Sequence, residues 1–585
     1  MRQRIGDYAL LLMASVLTTV PGLGGYSLWD VDEGVNAQAA REMAEADTWI
    51  VPTFNYALRT AKPVLLYWLQ RLSYAALGVS EWSARLPSAV CGWLAVLLTY
   101  ELGRRLWDRT AGLWGGVILA SAAQFIVLAR AATPDASLLL CTVLTFYAFW
   151  RGQENGGRRW WHTTAVACGL AVLTKGPIGI GLPAMVIISY WLWQKQIHRL
   201  WDKRLLTAAG LFLLVAGPWY ALVASETRGE WVKAFITREN FERFARPMEG
   251  HHGPVFYYLL VLPVMFAPWS VWLLPVLVDG LQQARRGHGV VCPSPVGSST
   301  GAQPPCPTDD NPSVYRFILC WIAAWLVVFS AAATKLPNYI FPLYPALALL
   351  TGRWLARWQA GGLTVAPWVV RTALALFALI GLVTCVGLIV AHRWYAGLAF
   401  WSWSGLLLVI GAATAYRAWR QGKRVVMTYR LAVAAVAFGA VTAAGIPLAL
   451  DRHRAPKLLV QHSGIADPYR DLRVGSYRWF APSLVFYSGR EVTVVPDEAA
   501  ARQFLDVPTP AYLFLPASVW EVLLQQGDLP AHQCLARHYD LLARTEIVVL
   551  GNAAVGPELS GLKPPPTVPS LQPQLSPADE FPYLR

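Results

Sequence analysis

Residues 366–391 read APWVVRTALALFALIGLVTCVGLIVA, a run in which Arg371 is the only charged residue. A helix of about 20 apolar residues is long enough to span the hydrocarbon core of a bilayer. Similar blocks recur along the 585 residues, and they lower the charged fraction to 14%, against about 25% in soluble domains. The sequence therefore predicts a polytopic α-helical membrane protein.

The hydropathy pattern predicts about 13 transmembrane helices, near residues 8–26, 84–103, 111–129, 136–150, 162–174, 177–194, 205–224, 255–278, 315–333, 338–356, 366–391, 397–416 and 429–450. Basic residues concentrate in alternate short loops, at 2–4, 104–109, 151–159, 195–204, 285–286, 353–357 and 417–424. The positive-inside rule makes these loops and the N-terminus cytoplasmic. The net charge of +14 therefore indicates membrane orientation rather than nucleic-acid binding. A cleaved signal peptide at residues 1–25 is the alternative, but no clear small-x-small cleavage site follows it.

Four regions are predicted around this bundle. Residues 1–450 form the transmembrane catalytic domain, with periplasmic loops at 27–83 and 225–254. Residues 282–313 are rich in Pro, Gly and Ser and are expected to form a disordered cytoplasmic loop. Residues 455–556 alternate strand-like runs (LRVGSY, EVTVV, AYLFL, TEIVVL) with helical stretches, which predicts a periplasmic α/β domain. Residues 557–585 form a Pro-rich tail.

The cysteines and tryptophans indicate no separate chemistry. Eight Cys occur without a CxxC or Cys/His cluster, so neither a disulfide framework nor a structural zinc site is predicted. The 28 Trp are interpreted mainly as belts at the membrane interfaces.

The unusual polar motifs fall on the predicted outer face. They are WDVDEGVNAQAARE (29–42), TPD (133–135), TKGP (174–177), the loop 225–254 and TKLPNY (334–339). Charges near membrane depth are costly and are usually functional. Lys and Arg can hold the phosphate of a lipid carrier, and a carboxylate can deprotonate or orient an acceptor. No nucleotide-binding signature is present, which agrees with a lipid-borne donor.

The ordered set of motifs resembles a known family. WDVDEGVNAQAAREM, AKPVLLYWLQ, ARAATPDASLL, LTKGPIG, PWY, ENFERF, HHGPVFYYL, PWS and KLPNYIFPLYPALALL follow one another over residues 25–350. They are similar to the lipid-carrier-dependent GT-C glycosyltransferases, in the branch that contains protein O-mannosyltransferases and aminoarabinose transferases of lipid A. The resemblance implies a GT-C fold in a bacterial inner membrane. It also implies an inverting transfer from a polyprenyl-phosphate sugar, with undecaprenyl as the expected carrier, to a glycolipid, glycan or protein.

The resemblance also implies roles for individual residues. Asp32 matches the essential carboxylate, and Asp135 matches a second carboxylate at the cavity. Lys62 and Arg243 match the cations that bind the donor phosphate. The expected supporting residues are Glu33, His251, Lys335 and Tyr339. Asp30, two residues before the catalytic position, is expected to be solvated.

Two departures from the family pattern concern the acidic motif and a metal. Val35 and Asn36 stand where relatives often carry Arg-Tyr after the DE pair. Ala61 and Arg238 stand where the aminoarabinose branch can place Glu and His ligands for zinc. No metal site and no cofactor are therefore predicted.

Other interpretations of these residues stay open. Asp32 and Glu33 could simply favour a helix N-terminus, Asp135 could cap a helix, and Lys62 could extend to the membrane interface. TKGP and KLP could be tight turns at helix ends. For the whole protein, a transporter or flippase of a lipid-linked substrate is the alternative function, although the sequence lacks the two similar halves typical of transporters. A non-enzymatic scaffold would not explain the outer charges.

Overall fold

The computed structural model describes residues 2–247, 252–286, 311–465, 471–527 and 529–555. It contains two compact units. The first unit comprises the described residues of Met1–Leu23, Thr60–Leu66 and Arg85–Ile446. The second unit comprises Gly24–Arg59, Tyr67–Ala84 and the described residues from Pro447 onward.

The first unit is helical. Its α-helices, some of which end beyond the unit boundary, are Arg2–Thr19, Glu81–Leu106, Arg109–Ala120, Ala123–Ala129, Asp135–Asn155, Arg158–Lys175, Ile178–Trp193, Lys203–Glu226, Glu230–Ala234, Arg243–Ala245, Tyr257–Met265, Leu273–Arg285, Pro312–Ala331, Tyr344–Gln359, Pro367–Ala391, Ser404–Arg420 and Arg424–Asp451. Short 3-10 helices lie at Ile197–Trp201, Trp269–Trp272, Pro337–Leu343 and Leu398–Trp401, and Phe235–Glu242 is a π-helix.

Within the described residues, six helices are long and apolar enough to cross a membrane, or up to eight if each of two sharply bent helix pairs forms one span. The six are Glu81–Leu106, Lys203–Glu226, Pro312–Ala331, Pro367–Ala391, Leu398–Arg420 and Arg424–Asp451. The sequence pattern predicts about 13. Part of the difference comes from short helices, since Tyr344–Gln359 has 16 residues and is almost entirely buried. At about 1.5 Å per residue it extends only about 24 Å.

Close helix contacts and aromatic packing build the core of the first unit. A Cβ atom at Gly352 would lie 2.6 Å from the carbonyl oxygen of Ala111 and 2.6 Å from the nitrogen of Gly115. Small residues allow this approach, as in other membrane helix pairs. Several tryptophans are buried inside the protein and fill the spaces between helices: Trp191, Trp269, Trp272, Trp321, Trp325 and Trp358.

The second unit contains a five-stranded sheet of order β4-β3-β5-β7-β6 and a small hairpin, β1-β2. The strands are β1 (Thr53–Phe54), β2 (Ala57–Leu58), β3 (Arg473–Tyr477), β4 (Val492–Val495), β5 (Ala511–Pro516), β6 (His532–Asp540) and β7 (Thr545–Asn552). β3 is parallel to β4 and β5, whereas β7 is antiparallel to β5 and β6. The helices are Asp32–Glu45, Leu65–Leu77, Ala455–Ser463, Pro482–Ser488, Glu498–Leu505 and Ala517–Gln525.

Strand β5 is buried along its whole length because apolar clusters cover both faces of the sheet. Tyr512 and Phe514 join one cluster, and Leu513 and Leu515 join the other, as the two-residue period of a strand requires. Each of the four strand-like runs identified in the sequence contains one strand of this sheet. Strand β6, HQCLARHYD, was not predicted because it is an edge strand of mixed polarity.

The domain boundary predicted for residues 27–83 differs from the structure. The prediction assigns this loop to the catalytic transmembrane domain, whereas most of it packs in one unit with the sheet. The side chain of Asn55 explains part of this grouping. It accepts a hydrogen bond from the backbone nitrogen of Val492 at 2.8 Å and donates one to the carbonyl of the same residue at 3.0 Å. The hairpin is thereby bound to edge strand β4.

Candidate functional site

A buried ion pair in the first unit joins the ends of two helices. Asp135 begins helix Asp135–Asn155, and Lys175 ends helix Arg158–Lys175. The Nζ atom of Lys175 lies 2.5 Å from Oδ1 of Asp135, and the two side chains are only 11% and 4% exposed. Each charge has the sign that its helix terminus favours. Asn338 adds donor contacts of 3.3 and 3.4 Å to the two carboxylate oxygens.

The same group of polar side chains continues to Arg243. The ammonium of Lys175 lies 5.8 Å from the ring centroid of Tyr339. The hydroxyl of Tyr339 lies 3.4 Å from Nη1 of Arg243, and Nη2 of Arg243 lies 3.2 Å from Oε2 of Glu239. We call the six residues Asp135, Lys175, Glu239, Arg243, Asn338 and Tyr339 the polar cluster. The structure thus brings together three residues predicted for the site, namely Asp135, Arg243 and Tyr339.

Lys335 has a different set of contacts. Its ammonium donates hydrogen bonds to the carbonyl groups of Phe329 at 3.0 Å, of Ser330 at 2.6 Å, and of Ala332. An ammonium has three N–H donors, so these contacts use all three. Phe329 and Ser330 belong to the last turn of helix Pro312–Ala331, where a cation is favoured. Lys335 is therefore engaged in ending that helix.

The acidic pair of the DE motif separates into one exposed and one buried side chain in the second unit. Asp32 is the first residue of helix Asp32–Glu45, and it is exposed. Glu33 is 4% exposed. The carboxylate of Glu33 accepts a hydrogen bond from the backbone nitrogen of Trp29 at 2.8 Å.

The expectation that Asp30 is solvated is wrong. Its carboxylate accepts hydrogen bonds from the nitrogen and the hydroxyl of Ser483, both at 2.6 Å. It also forms an ion pair with Arg454 at 3.0 Å, and the two side chains are 6% and 1% exposed. Burial raises the pKa of Asp30 to about 6, although Arg454 and Ser483 act in the opposite direction.

The remaining predicted residues have less defined surroundings. Lys62 lies between β2 and helix Leu65–Leu77, is partly buried, and belongs to the first unit. His251 lies outside the described residues. In the parts of the chain that the structure describes, no group of three or more His, Cys, Asp or Glu side chains could hold a metal ion. The positions of Ala61 and Arg238 supply no such ligands either.

A cavity of about 590 Å³ in the second unit contains none of the predicted site residues. It is lined by side chains of the hairpin and the sheet edge, including Tyr56, Arg473, Arg490, Thr493 and Phe504.

Sequence reasoning did not place Lys175, Asn338 and Glu239 in the site. Lys175 and Asn338 stand in TKGP and TKLPNY, which had been recognised as outer motifs, and Glu239 stands in RENFERF. TKGP also fits a tight turn between two helices, so the motif alone does not assign Lys175 to the site. The signal that it pairs with Asp135 is weak in the sequence, since the two residues are 40 positions apart.

Comparison of the structure with solved proteins defines the fold. The chain matches the crystal structure of ArnT from Cupriavidus metallidurans bound to undecaprenyl phosphate with a TM-score of 0.77 at 21% identity, covering 96% of this chain and 99% of that chain. It matches the apo state of the same protein with a TM-score of 0.76 at 22% identity and the same coverage. The chain therefore has the ArnT fold.

Comparison of the sequence with known proteins gives the particular relatives. A family model described as dolichyl-phosphate-mannose-protein mannosyltransferase matches residues 61–221. An undecaprenyl phosphate-alpha-4-amino-4-deoxy-L-arabinose arabinosyl transferase from Pseudomonas aeruginosa is 31% identical over 382 residues, 64% of each chain. One from Pseudomonas fluorescens is 32% identical over 368 residues, 61% of this chain and 60% of the relative.

The matched segment thus spans less than two thirds of the length of these relatives. Both comparisons confirm the resemblance to the aminoarabinose transferases and protein mannosyltransferases that the ordered motifs indicated.

Proposed function

We propose that this protein is an integral membrane glycosyltransferase of a bacterial inner membrane. It transfers a sugar from a polyprenyl-phosphate carrier to an acceptor on the periplasmic side, with inversion at the anomeric carbon. The observation that carries the proposal is the polar cluster, in which the cations Lys175 and Arg243 lie together in a chain with the ArnT fold. The relatives named above are undecaprenyl-phosphate-dependent transferases, so undecaprenyl is the carrier we propose here.

The donor phosphate is bound by cations in this proposal. Lys62 and Arg243 contact the phosphate, Lys62 as a point charge and Arg243 through its planar guanidinium. Glu239 and Tyr339 hold the Arg243 side chain in place. Lys175 is compensated by Asp135, so this pair orders the surroundings of the phosphate. His251 is a further candidate for the site.

The transfer step depends on the acceptor: a hydroxyl acceptor must lose a proton, whereas a phosphate acceptor is already ionised and would need Asp32 only for orientation. The acceptor hydroxyl oxygen forms a bond to the anomeric carbon from the side opposite the phosphate. The bond between that carbon and the phosphate oxygen breaks, and the electron pair leaves with polyprenyl phosphate. Asp32 takes the proton of the acceptor hydroxyl, as a general base, and Asp135 is the second carboxylate of the site.

The proposal includes an orientation in the membrane. The basic loops are cytoplasmic, the N-terminus is cytoplasmic, and residues 455–556 are periplasmic after about 13 spans. An enzymatic reporter that works only in the periplasm should be active when fused after residue 455. A reporter that works only in the cytoplasm should be active when inserted within 285–310. The opposite result at either position contradicts this orientation. It would also contradict the prediction that the polar motifs all lie on the outer side of the membrane.

The activity is tested with the purified full-length protein in liposomes. A radiolabelled polyprenyl-phosphate sugar is supplied with lipid A, other glycolipids or periplasmic protein as acceptor. We expect label in an acceptor, together with one polyprenyl phosphate released for each sugar transferred. Movement of intact donor between leaflets without release would contradict the proposal and favour a flippase instead.

A further inference from the structure

The carboxylate of Asp30 lies at the centre of a buried contact that involves two distant parts of the chain. Ser483 donates to it through its backbone nitrogen and its hydroxyl, both at 2.6 Å. Arg454 approaches it at 3.0 Å. We call Asp30, Arg454 and Ser483 the acidic clamp. Arg454 is 424 positions and Ser483 is 453 positions away from Asp30 in the sequence, and all three residues belong to the second unit.

Arg454 contacts residues 28–30, which precede the DE motif. Besides pairing with Asp30, it donates a hydrogen bond to the carbonyl of Leu28. Its guanidinium carbon also lies 5.0 Å from the ring centroid of Trp29. A planar guanidinium with five donors suits such a set of fixed contacts. Three consecutive residues, 28–30, are thereby fixed, and only Val31 separates them from Asp32.

The clamp is attached to the sheet. Arg454 is the residue that precedes helix Ala455–Ser463. The backbone nitrogen of Ala455 donates to Asp540 at 3.2 Å, and the nitrogen of Leu541 donates to the carbonyl of His453 at 2.7 Å. Both contacts connect the neighbours of Arg454 to the end of strand β6. The position of Arg454 is therefore set by the folded sheet.

The start of helix Asp32–Glu45 approaches Ser483 closely. A Cβ atom at Gly34 would lie 2.6 Å from Oδ1 of Asp30 and 2.6 Å from the nitrogen of Ser483. Glycine is required where backbone approaches this near. Glu33, the residue between Asp32 and Gly34, accepts a hydrogen bond from the nitrogen of Trp29. The backbone on both sides of Asp32 is thus held, while its side chain is exposed.

We infer that Asp30 is a positioning residue, which acts with Arg454 and Ser483 to hold the Asp32 carboxylate in its reactive orientation. The inference rests on the proposed function, because it requires Asp32 to act in the transfer step. It assigns a role in that step to the C-terminal part of the chain. Removing one partner of a buried ion pair lowers stability because the other charge is left uncompensated, and a displacement of about 1 Å in a reacting group can also cost about 10²-fold in rate. The expected consequence of loosening the clamp is therefore a slower reaction.

The experiment compares full-length Asp30→Asn and Ser483→Ala with the wild-type protein and with two further variants. Ser483→Thr keeps both donors of the clamp and is the conservative variant. Glu546→Gln removes an ion pair with Arg537 between strands β6 and β7, and it serves as the control for loss of a charge contact in the same unit. Each variant is measured for kcat and KM with the polyprenyl-phosphate sugar, and for the melting temperature of the purified protein.

We expect kcat to fall about 10- to 100-fold in Asp30→Asn and less in Ser483→Ala, with KM for the donor unchanged. Ser483→Thr and Glu546→Gln should keep near-normal kcat. A normal kcat in both Asp30→Asn and Ser483→Ala would overturn the inference while the activity of the wild-type protein still supported the proposed function. If a variant loses thermal stability, the kinetic constants are compared per folded molecule.

Hydrogen exchange supplies a readout that does not depend on the reaction. In Asp30→Asn, amides of residues 28–36 should exchange faster, and those of strands β5 and β7 should exchange at the wild-type rate. Unchanged exchange in 28–36 would overturn the clamp even if the protein proved to have another activity. Inactive wild-type protein with faster exchange in the variant would instead count against the proposed function alone.

Discussion

Aspartates 30 and 135 are buried in different units, yet both are paired with a cation. Asp135 is bonded to Lys175, and Asp30 is bonded to Arg454. Asp32 stands two residues from Asp30 and is exposed. The comparison shows how the chain separates two uses of a carboxylate. A buried, ion-paired carboxylate fixes the structure around it, whereas an exposed one remains accessible to a reacting molecule.

The largest expected effect on stability concerns the Asp135–Lys175 pair. Lys175→Met leaves the buried carboxylate uncompensated and should lower the free energy of unfolding by about 3–5 kcal/mol. The double variant Asp135→Asn/Lys175→Met should recover most of that loss, because no unpaired charge remains. Thermal unfolding in detergent measures the stability of the single and of the double variant.

The control for this prediction is Glu154→Gln, which removes the charge of a carboxylate that is 33% exposed and lies 3.7 Å from Arg105 and 3.8 Å from Arg151. Gln can still accept the hydrogen bond that Trp150 donates to this side chain. Exposed pairs contribute about 0–1 kcal/mol, so this variant should unfold close to the wild type. If the melting temperature of Lys175→Met is no lower than that of Glu154→Gln, the buried Asp135 carboxylate does not depend on Lys175 for its compensation.

A smaller effect is expected for binding of the lipid carrier. Arg243→Ala should weaken affinity for polyprenyl phosphate by about 2–4 kcal/mol, because a charge-assisted contact in a low-dielectric site is lost. Tyr339→Phe removes only the hydroxyl that lies 3.4 Å from Arg243, so it should weaken binding by about 1 kcal/mol or less.

Arg371→Ala is the matched control for carrier binding, because Arg371 is an arginine of an apolar helix outside the polar cluster. Carrier affinity is measured on all three proteins in the same detergent. Equal affinity for Arg243→Ala and Arg371→Ala would remove Arg243 from the phosphate site.

The smallest expected effect is the pH dependence that Asp30 gives to the free energy of unfolding. Burial raises the pKa of this carboxyl to about 6 in the folded protein, and nearby Asp540 adds to the rise while Arg454 and Ser483 oppose it. An unfolded chain titrates Asp near about 3.9. The folded state therefore binds the proton more tightly, and this contribution to the free energy of unfolding is complete below about pH 4 and is lost as the pH rises through 6.

Asp30→Asn lacks this titration. Its melting temperature relative to that of the wild type should therefore rise between pH 4 and pH 6.5. A difference in melting temperature that stays constant over this range would show that Asp30 does not titrate there.

Much of this organisation could be predicted from sequence because it depends on local pattern. Apolar blocks predicted a membrane protein, and the ordered motifs predicted the resemblance that the relatives confirm. The surroundings of Asp30 could not be predicted, because Arg454 and Ser483 are more than 400 positions away. An acidic residue beside an apolar helix has the same local pattern whether it is solvated or clamped.

The polar cluster illustrates the same limit. Asp135 and Tyr339 were selected by motif, but Lys175 was interpreted as part of a turn. Its pairing with Asp135 depends on how two helices end side by side, and that information is not contained in either motif. The contacts of Lys335 with three carbonyl groups were missed for a similar reason, since KLP does not show where the preceding helix stops.

The central claim, that Asp32 is the reactive carboxylate, is tested most directly by sugar transfer with Asp32→Asn and Asp47→Asn in liposomes. Both residues carry exposed carboxylates in the second unit, and Asp47 pairs only with Arg71 among the contacts that the structure describes for it. We expect Asp32→Asn to lower kcat by about 10²–10⁴-fold with carrier affinity unchanged, and Asp47→Asn to remain near wild type. Near-normal turnover in Asp32→Asn would contradict the assignment of the catalytic carboxylate.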